Sequence, residues 1–344
     1  MILFNNDYSE GAHPAILKKL EEINFEQNTG YGMDKYSEEA RNHIRRVCSS
    51  PDMDVHFIAG GTLTNLIVVS SALRPHEGVI SANTGHINVH ETGAIENTGH
   101  KVLVIDSEDG KIKPAMVEKM CQAHYEDGDR EHTVKPGMVY ISNPTELGTI
   151  YLKRELEELR EVCNKYNLYL FLDGARLGYG LCAEENDLTM ADIASLCDVF
   201  YIGGTKVGAL FGEAVCITNT NLKKEFRYLI KQKGALLAKG WIMGIMFLVL
   251  FEDSLYFKIA DNAVKMAMRI KEAFNNKGID FYCDSPTNQQ FPILDNLQYD
   301  KLKEKYLFSY IAKIDDNRHV VRFCTSFATR PENVYMLVRD IEKL

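Results

Sequence analysis

The sequence predicts an α/β protein with a large, mostly parallel seven-stranded sheet domain and a smaller α+β C-terminal domain. Three observations predict it. From about residue 30 to 218, short apolar runs alternate with amphipathic helical patterns, as a helix-covered parallel sheet requires. Gly-rich and polar clusters follow several of those runs, where open α/β sheets place their ligand sites. Beyond residue 218 the alternation stops and longer helical segments take over.

Seven apolar runs read as buried strands: 55–59, 78–81, 102–105, 138–142, 168–173, 199–202 and 214–218. The segment 153–166 is a helix, because Leu156, Leu159 and Cys163 recur at helical spacing. A helix over 222–232 and a long helical region through about Asn276 come next. Strands near 279–282, 291–294 and 320–324 then precede a last helix from Pro331, a suitable first helical residue, to about Glu342. The expected division is residues 25–252 as the large domain and residues 1–24 with 253–344 as the small one. The helix near 14–22 is expected to pack with the small domain. The longest apolar stretch, 241–251, is interrupted by Gly244. It falls well short of the ~20 residues that span a bilayer, so it reads as a buried core helix.

Composition narrows the function. The 344 residues carry 39 Lys+Arg against 48 Asp+Glu, a net charge of −9, which offers no basic field for nucleic acid or anionic lipid. A small anionic substrate remains compatible, since a few local cations dominate a pocket. The opening residues, Met1 to Asp7, have neither the basic region nor the apolar run of a secretory signal. The eight cysteines are scattered with no Cys-x-x-Cys pair, so reduced thiols and a cytoplasmic location are expected. No metal-ligand cluster stands out.

Three clusters carry the chemistry. Ala59-Gly60-Gly61-Thr62-Leu63-Thr64-Asn65 follows a strand and opens a helix. Its glycines let backbone N–H groups approach a ligand, and a helix start favours an anion such as phosphate. The same run is equally an ordinary strand-to-helix turn. Phe171-Leu172-Asp173-Gly174-Ala175-Arg176 ends the most apolar strand. A carboxylate there points into the ligand crevice and would keep a pyridine ring protonated and electron-withdrawing. Arg176 could grip a substrate carboxylate, or the pair could be structural. The third cluster, Asp198 to Lys206, places a lysine just beyond an apolar strand and Gly203-Gly204. Desolvation would make its neutral amine accessible for a Schiff base.

Together with Thr84-Gly85-His86, Glu91-Thr92-Gly93 and Val321-Arg322-Phe323, this ordered set resembles the threonine aldolase and β-eliminating lyase family of fold type I enzymes. These depend on pyridoxal 5'-phosphate, and the resemblance covers nearly the whole chain. It implies that Lys206 carries the cofactor and Asp173 pairs with its pyridine nitrogen. His86 would stack on the ring, while Gly61, Thr62 and Thr205 would hold the phosphate. Arg322 and Arg176 would bind the substrate carboxylate. It further implies a homodimer or homotetramer with shared sites, in which Tyr31 and Lys231 or Lys239 reach a neighbouring subunit.

Two departures bear on the substrate. Where the family often carries Glu-Asn-Thr-His, this chain has Ser142-Asn143-Pro144-Thr145-Glu146, which puts Glu146 at the histidine's place as a candidate base. The Ser-Asp often found near the start becomes Asn6-Asp7, making Asn6 a candidate substrate contact. The expected activity is cleavage of the Cα–Cβ bond of a β-hydroxy-α-amino acid such as L-threonine or L-allo-threonine. A β-eliminating lyase, an aminotransferase and a non-catalytic cofactor-binding protein remain as alternatives.

Overall fold

Seven strands form the central sheet: β1 (Asp54–Ile58), β2 (Glu77–Ala82), β3 (Val102–Ile105), β4 (Lys135–Ser142), β5 (Tyr169–Asp173), β6 (Val199–Gly203) and β7 (Glu213–Ile217). The computed structural model describes all 344 residues. The strand order is β1-β7-β6-β5-β4-β2-β3. Six strands run parallel, and only β7 is reversed, pairing antiparallel with both β1 and β6. The apolar runs are continuous because helices bury both faces of the sheet. Alternate residues serve opposite faces. Val139, Leu170, Phe200 and Ala214 join one core with helices α2 (Lys35–Val47) and α5 (Trp241–Phe251). Met138, Phe171, Val199 and Val215 join another, which includes Ile67 and Val68 of α3 (Gly61–Ala72). Helix α4 (Lys153–Tyr166) sends Leu156, Leu159 and Cys163 into the first core.

Helix α5 is apolar on every side and is buried throughout from Met243 to Phe251, so its outer surface needs a cover. Helix α2 supplies part of it, with Gly244 packed so closely that an added Cβ would lie 2.6 Å from Ser37 Cα. Helix α1 (Pro14–Glu22) supplies more. Its Ile16 lies in the same core as α5, so this helix packs with the large core and not, as its position suggested, with the smaller domain.

The smaller domain has an antiparallel sheet of β8 (Ile293–Asp295), β9 (Ser309–Lys313) and β10 (Arg318–Cys324), in the order β8-β10-β9. It packs on α6 (Leu255–Asn276) and α7 (Pro331–Ile341) through Ile270, Phe274, Val321, Phe323 and Leu337. The strand expected at 279–282 shrinks to a single bridge between Phe281 and Pro292. The helix expected over 222–232 is two, Thr220–Lys223 and Phe226–Gln232, parted by Glu225 at φ +61°.

The N-terminal arm ties the units together. Ile2 and Leu3 pair with Tyr306 and Leu307, and Phe4 enters the small-domain core. Asp7 then receives Arg176 Nε (2.7 Å), Arg176 Nη2 (2.9 Å) and Asn288 Nδ2 (2.9 Å). Burial opposes the charge on Asp7, but Arg176 and nearby Lys206 outweigh it and hold the carboxyl at about 2. Because the folded state lowers this pKa, its stabilisation is complete above the ordinary carboxylate range and fades as pH falls toward 2. The size is about 2 kcal/mol. Asp7→Asn should therefore lower neutral-pH stability by about 3–5 kcal/mol, since a buried Arg176 loses its counter-charge. Denaturant titrations should show that deficit shrinking between about pH 4 and pH 2; a deficit independent of pH would contradict the pairing.

Candidate active site

The carboxyl ends of β4, β5 and β6, the turn into α3 and the start of β7 surround a cavity of about 340 Å³. Gly61, Thr62, His86, Glu146, Asp173, Arg176, Thr205 and Lys206 all wall it. Three sequence clusters far apart in the chain thus meet at one place.

Asp173 ends β5 and is buried. Tyr201 Oη (2.5 Å) and Ala175 N (3.0 Å) donate to its Oδ1, while Tyr140 Oη (2.5 Å) and Asn65 Nδ2 (3.2 Å) donate to Oδ2. The tyrosines come from β6 and β4, the strands on either side. Four donors fix the carboxylate as an acceptor. Asn65 shares its amide with Glu91 Oε1 at 2.7 Å, so its longer bond to Asp173 is the one free to yield.

His86 opens a short helix, and its Nδ1 bonds Glu91 Oε1 at 2.7 Å. Burial disfavours the imidazolium, but the Glu91 bond and the charge of Asp173 outweigh it and raise the pKa above the ordinary histidine value. Glu146 lies beside it. Its Oε1 accepts from His86 N (2.9 Å) and Ser142 Oγ (2.7 Å). Burial raises the Glu146 pKa; Ser142 opposes this and Asp173 reinforces it.

Lys206 follows β6. Burial, with Arg176 adding, lowers its pKa against the pull of Asp7, Asp173 and Glu213. Its carbonyl accepts from Tyr179 Oη at 2.5 Å, which anchors the backbone beneath the amine. The turn before it is held by Glu213, whose Oε2 accepts from Gly204 N (3.0 Å) and whose Oε1 accepts from Thr205 Oγ1 (2.8 Å).

At the opposite end, the first bond of α3 runs from Thr64 N to Gly60 O. The N–H groups of Gly61, Thr62 and Leu63 therefore have no partner within the helix, and an anion suits them. A Cβ on Gly60 would meet no protein atom within 4 Å, whereas one on Gly61 would lie 3.2 Å from Tyr201 Oη. A side chain at Gly61 would thus disturb the tyrosine that holds Asp173.

These residues fit pyridoxal phosphate. Asn65 Oδ1 and Glu91 Oε2 are buried acceptors without a donor, so the Asp173 corner has capacity for a protonated ring nitrogen. The α3 start suits a phosphate, and a lysine with a lowered pKa lies in the same cavity.

Other candidates sit differently. Arg322, on β10, bonds Gln289 Oε1 (3.2 Å) and Asn5 O (3.0 Å) but has no acidic partner, and its Nε is buried without an acceptor. Neither Arg322 nor Asn6 walls the cavity. Asn6 Oδ1 is occupied by Tyr8 N and Ser9 Oγ in a local turn, while Asp7 is buried against Arg176 and the largely exposed Tyr8 borders the cavity. Tyr31 lies away from the cavity, with Lys231 Nζ 4.8 Å from its ring centroid. Lys239 does not wall the cavity either. Sequence reasoning overlooked Tyr140, Tyr201 and Glu213. The tyrosines alternate with core residues inside apolar strands, and Glu213 opens a strand instead of ending one.

The solved structure of Leishmania major threonine aldolase is similar over 100% of this chain and 99% of that one, with a TM-score of 0.97 and 47% identity. The low specificity L-threonine aldolase of Pseudomonas sp. is 31% identical over 264 residues, which are 76% of this chain and 74% of that protein. A mutant of Thermus thermophilus aspartate aminotransferase shares the fold alone: it covers 100% of this chain and 91% of that one, with a TM-score of 0.72 and 13% identity. Residues 7–296 match the beta-eliminating lyase family, and with the lysine, aspartate and glycine turn of that match gathered at one cavity, the chain belongs to that family.

Proposed function

We propose that this chain is a pyridoxal-phosphate lyase that cleaves the Cα–Cβ bond of a β-hydroxy-α-amino acid, such as L-threonine or L-allo-threonine, to glycine and an aldehyde. The observation that carries this reading is the single cavity joining Lys206, Asp173 and the start of α3, with His86 and Glu146 in its wall. Its likeness to the threonine aldolases of Leishmania major and Pseudomonas supports the substrate class. When bound, pyridoxal phosphate supplies an electron sink for the pair released at Cα.

The chain's own groups do the rest. Asp173, steadied by Tyr140, Tyr201 and Ala175 N, would accept from the protonated ring nitrogen as the longer Asn65 bond yields. Gly61, Thr62 and Thr205 would hold the phosphate, and His86 would stack on the ring. Arg322, which lies outside the cavity wall but has no acidic partner and a buried Nε without an acceptor, would bind the substrate carboxylate. Arg176 adds its remaining Nη1, because Asp7 occupies the other edge of the guanidinium. Fixing the carboxylate selects which Cα bond is aligned for cleavage.

The β-hydroxyl then needs a base. His86 is held toward its protonated form by Glu91. Glu146, whose Oε1 is anchored and whose raised pKa makes its ionised form a stronger base than a free carboxylate, takes the proton. A second reading, β-elimination, is favoured by the family description itself and would break Cα–H instead.

Residues 25–252 carry the cofactor in this reading. Residues 1–24 with 253–344 bring the substrate-facing arm and Arg322, while α1 itself rests on the large core. A homodimer or homotetramer with shared sites is supported by exposed Phe25, Met33 and Tyr228, which lie within six residues of Tyr31 or Lys231 along the chain. A cytoplasmic location is supported by eight free cysteines, six of them buried. No helix is long and apolar enough to cross a membrane.

Incubation with L-threonine and L-allo-threonine should yield glycine and acetaldehyde. Ammonia with 2-oxobutyrate would assign the chain to β-elimination instead. Lys206→Ala should abolish the visible absorbance of the lysine-bound cofactor, and its persistence would refute the lysine assignment. Because Glu146 must be ionised to act, kcat/KM should rise with pH as it loses its proton. Glu146→Gln should remove that acid limb and lower kcat by about 10²–10⁴-fold; an unchanged pH profile would exclude Glu146 as the base.

A further inference from the structure

Glu213 is a buried carboxylate to which the reaction assigns no step. The reversal of β7 sets it on the carboxyl edge of the sheet, opposite Gly203 of β6 and Ile58 of β1. It walls the cavity together with Gly60, Gly61, Thr62 and Thr205, so a phosphate at the α3 start would share its space with this carboxylate.

The Thr205 hydroxyl is the link. Its one proton goes to Glu213 Oε1, and its oxygen accepts from Gly212 N at 3.0 Å. In that arrangement Thr205 has nothing to donate to a phosphate, and Glu213 presents a like charge to the dianion. A proton on Glu213 Oε1 reverses both. The carboxyl would donate to the second lone pair of Thr205 Oγ1, and the Thr205 hydroxyl would turn to the phosphate. Gly212 N and Gly204 N would keep their present acceptors. Both states satisfy every group in the turn.

We propose that Glu213 is a proton-carrying positioning residue of the phosphate site: the cofactor's phosphate dianion enters with one solvent proton, which Glu213 takes up as Thr205 turns to the phosphate. The surroundings favour such a proton. Burial raises the Glu213 pKa to about 8, opposed by Thr205, Lys206 and Gly204 N and reinforced by Asp173. Tyr201 of β6 walls the same cavity, and Tyr256 of α6 donates to Gly203 O on the strand beside it. Helix α5 carries no charged or titratable residue and sets Met243 and Phe247 against the Gly212 and Gly204 turn, and β1 contributes Ile58. Lys206 is the cation that acts on Glu213, and it is committed to the cofactor.

This inference rests on the pyridoxal-phosphate reading. Its test is the proton uptake when the full chain, freed of cofactor, binds pyridoxal phosphate or pyridoxal, measured by calorimetry in buffers of different ionisation heat. Ring and lysine titrate with both ligands, so the difference isolates the phosphate. Wild type should take up about one more proton with pyridoxal phosphate at about pH 9, and almost none more at about pH 7. Glu213→Gln, whose amide mimics the protonated acid, should show no difference at either pH. The wild-type Kd for pyridoxal phosphate should weaken about tenfold per pH unit above about pH 8, relative to that variant.

Equal uptake of the two ligands by wild type at about pH 9 overturns the proposal, even if the variant fails to fold. Identical pH profiles for wild type and variant, with the cofactor bound, overturn this inference alone. Failure of wild type to bind pyridoxal phosphate overturns the cofactor reading and this inference with it.

Discussion

A carboxylate buried at the end of a central strand must be answered by donors, and the site is arranged around that demand. Asp173 obtains them from Tyr140 and Tyr201, one on each neighbouring strand, from Asn65 of α3 and from its own turn at Ala175 N. Each donor fixes something else. Tyr201 sets how closely Gly61 can approach, Asn65 carries the link on to Glu91, and Glu91 orients His86. One buried charge thereby holds the ends of three strands, the start of α3 and the imidazole in fixed relation.

Electrostatically the cavity differs from the molecule that contains it. The chain as a whole is acidic, yet its site interleaves Lys206, Arg176 and His86 with Asp173, Glu146 and Glu213. Their pKa values are pushed in different directions: lysine down, histidine and the two glutamates up. Burial sets the direction for the lysine and both glutamates, and only at His86 do the Glu91 bond and the charge of Asp173 overturn it. Such separation lets acid and base roles coexist at one pH.

Much of this was legible before the structure. Continuous apolar runs marked the seven strands because both sheet faces are covered, and the glycine turns and Lys206 stood where parallel strands end. What escaped notice has specific causes. Glu213 escaped because β7 is antiparallel, so the ligand edge meets its first residue rather than its last. Tyr140 and Tyr201 looked like core aromatics, and their bodies are core; only their hydroxyls serve the site. Strand β9 has little alternation to betray it, with Tyr310 and Ile311 both exposed. The commitment of Arg176 to Asp7 depends on a contact across 169 positions, which no local pattern records.

That distance matters during biosynthesis. Asp7 is made early, Arg176 much later, and Asn288, 281 positions from Asp7, later still. The leading arm must also wait for Tyr306 and Leu307 before Ile2 and Leu3 can pair. Contacts of such long range are slow to close. A growing chain can therefore lay down the sheet and Lys206 while Arg176 still lacks its counter-charge. The arm that completes the surroundings of the amine can dock only once Tyr306 and Leu307 have been made, so the pocket closes after the sheet has formed.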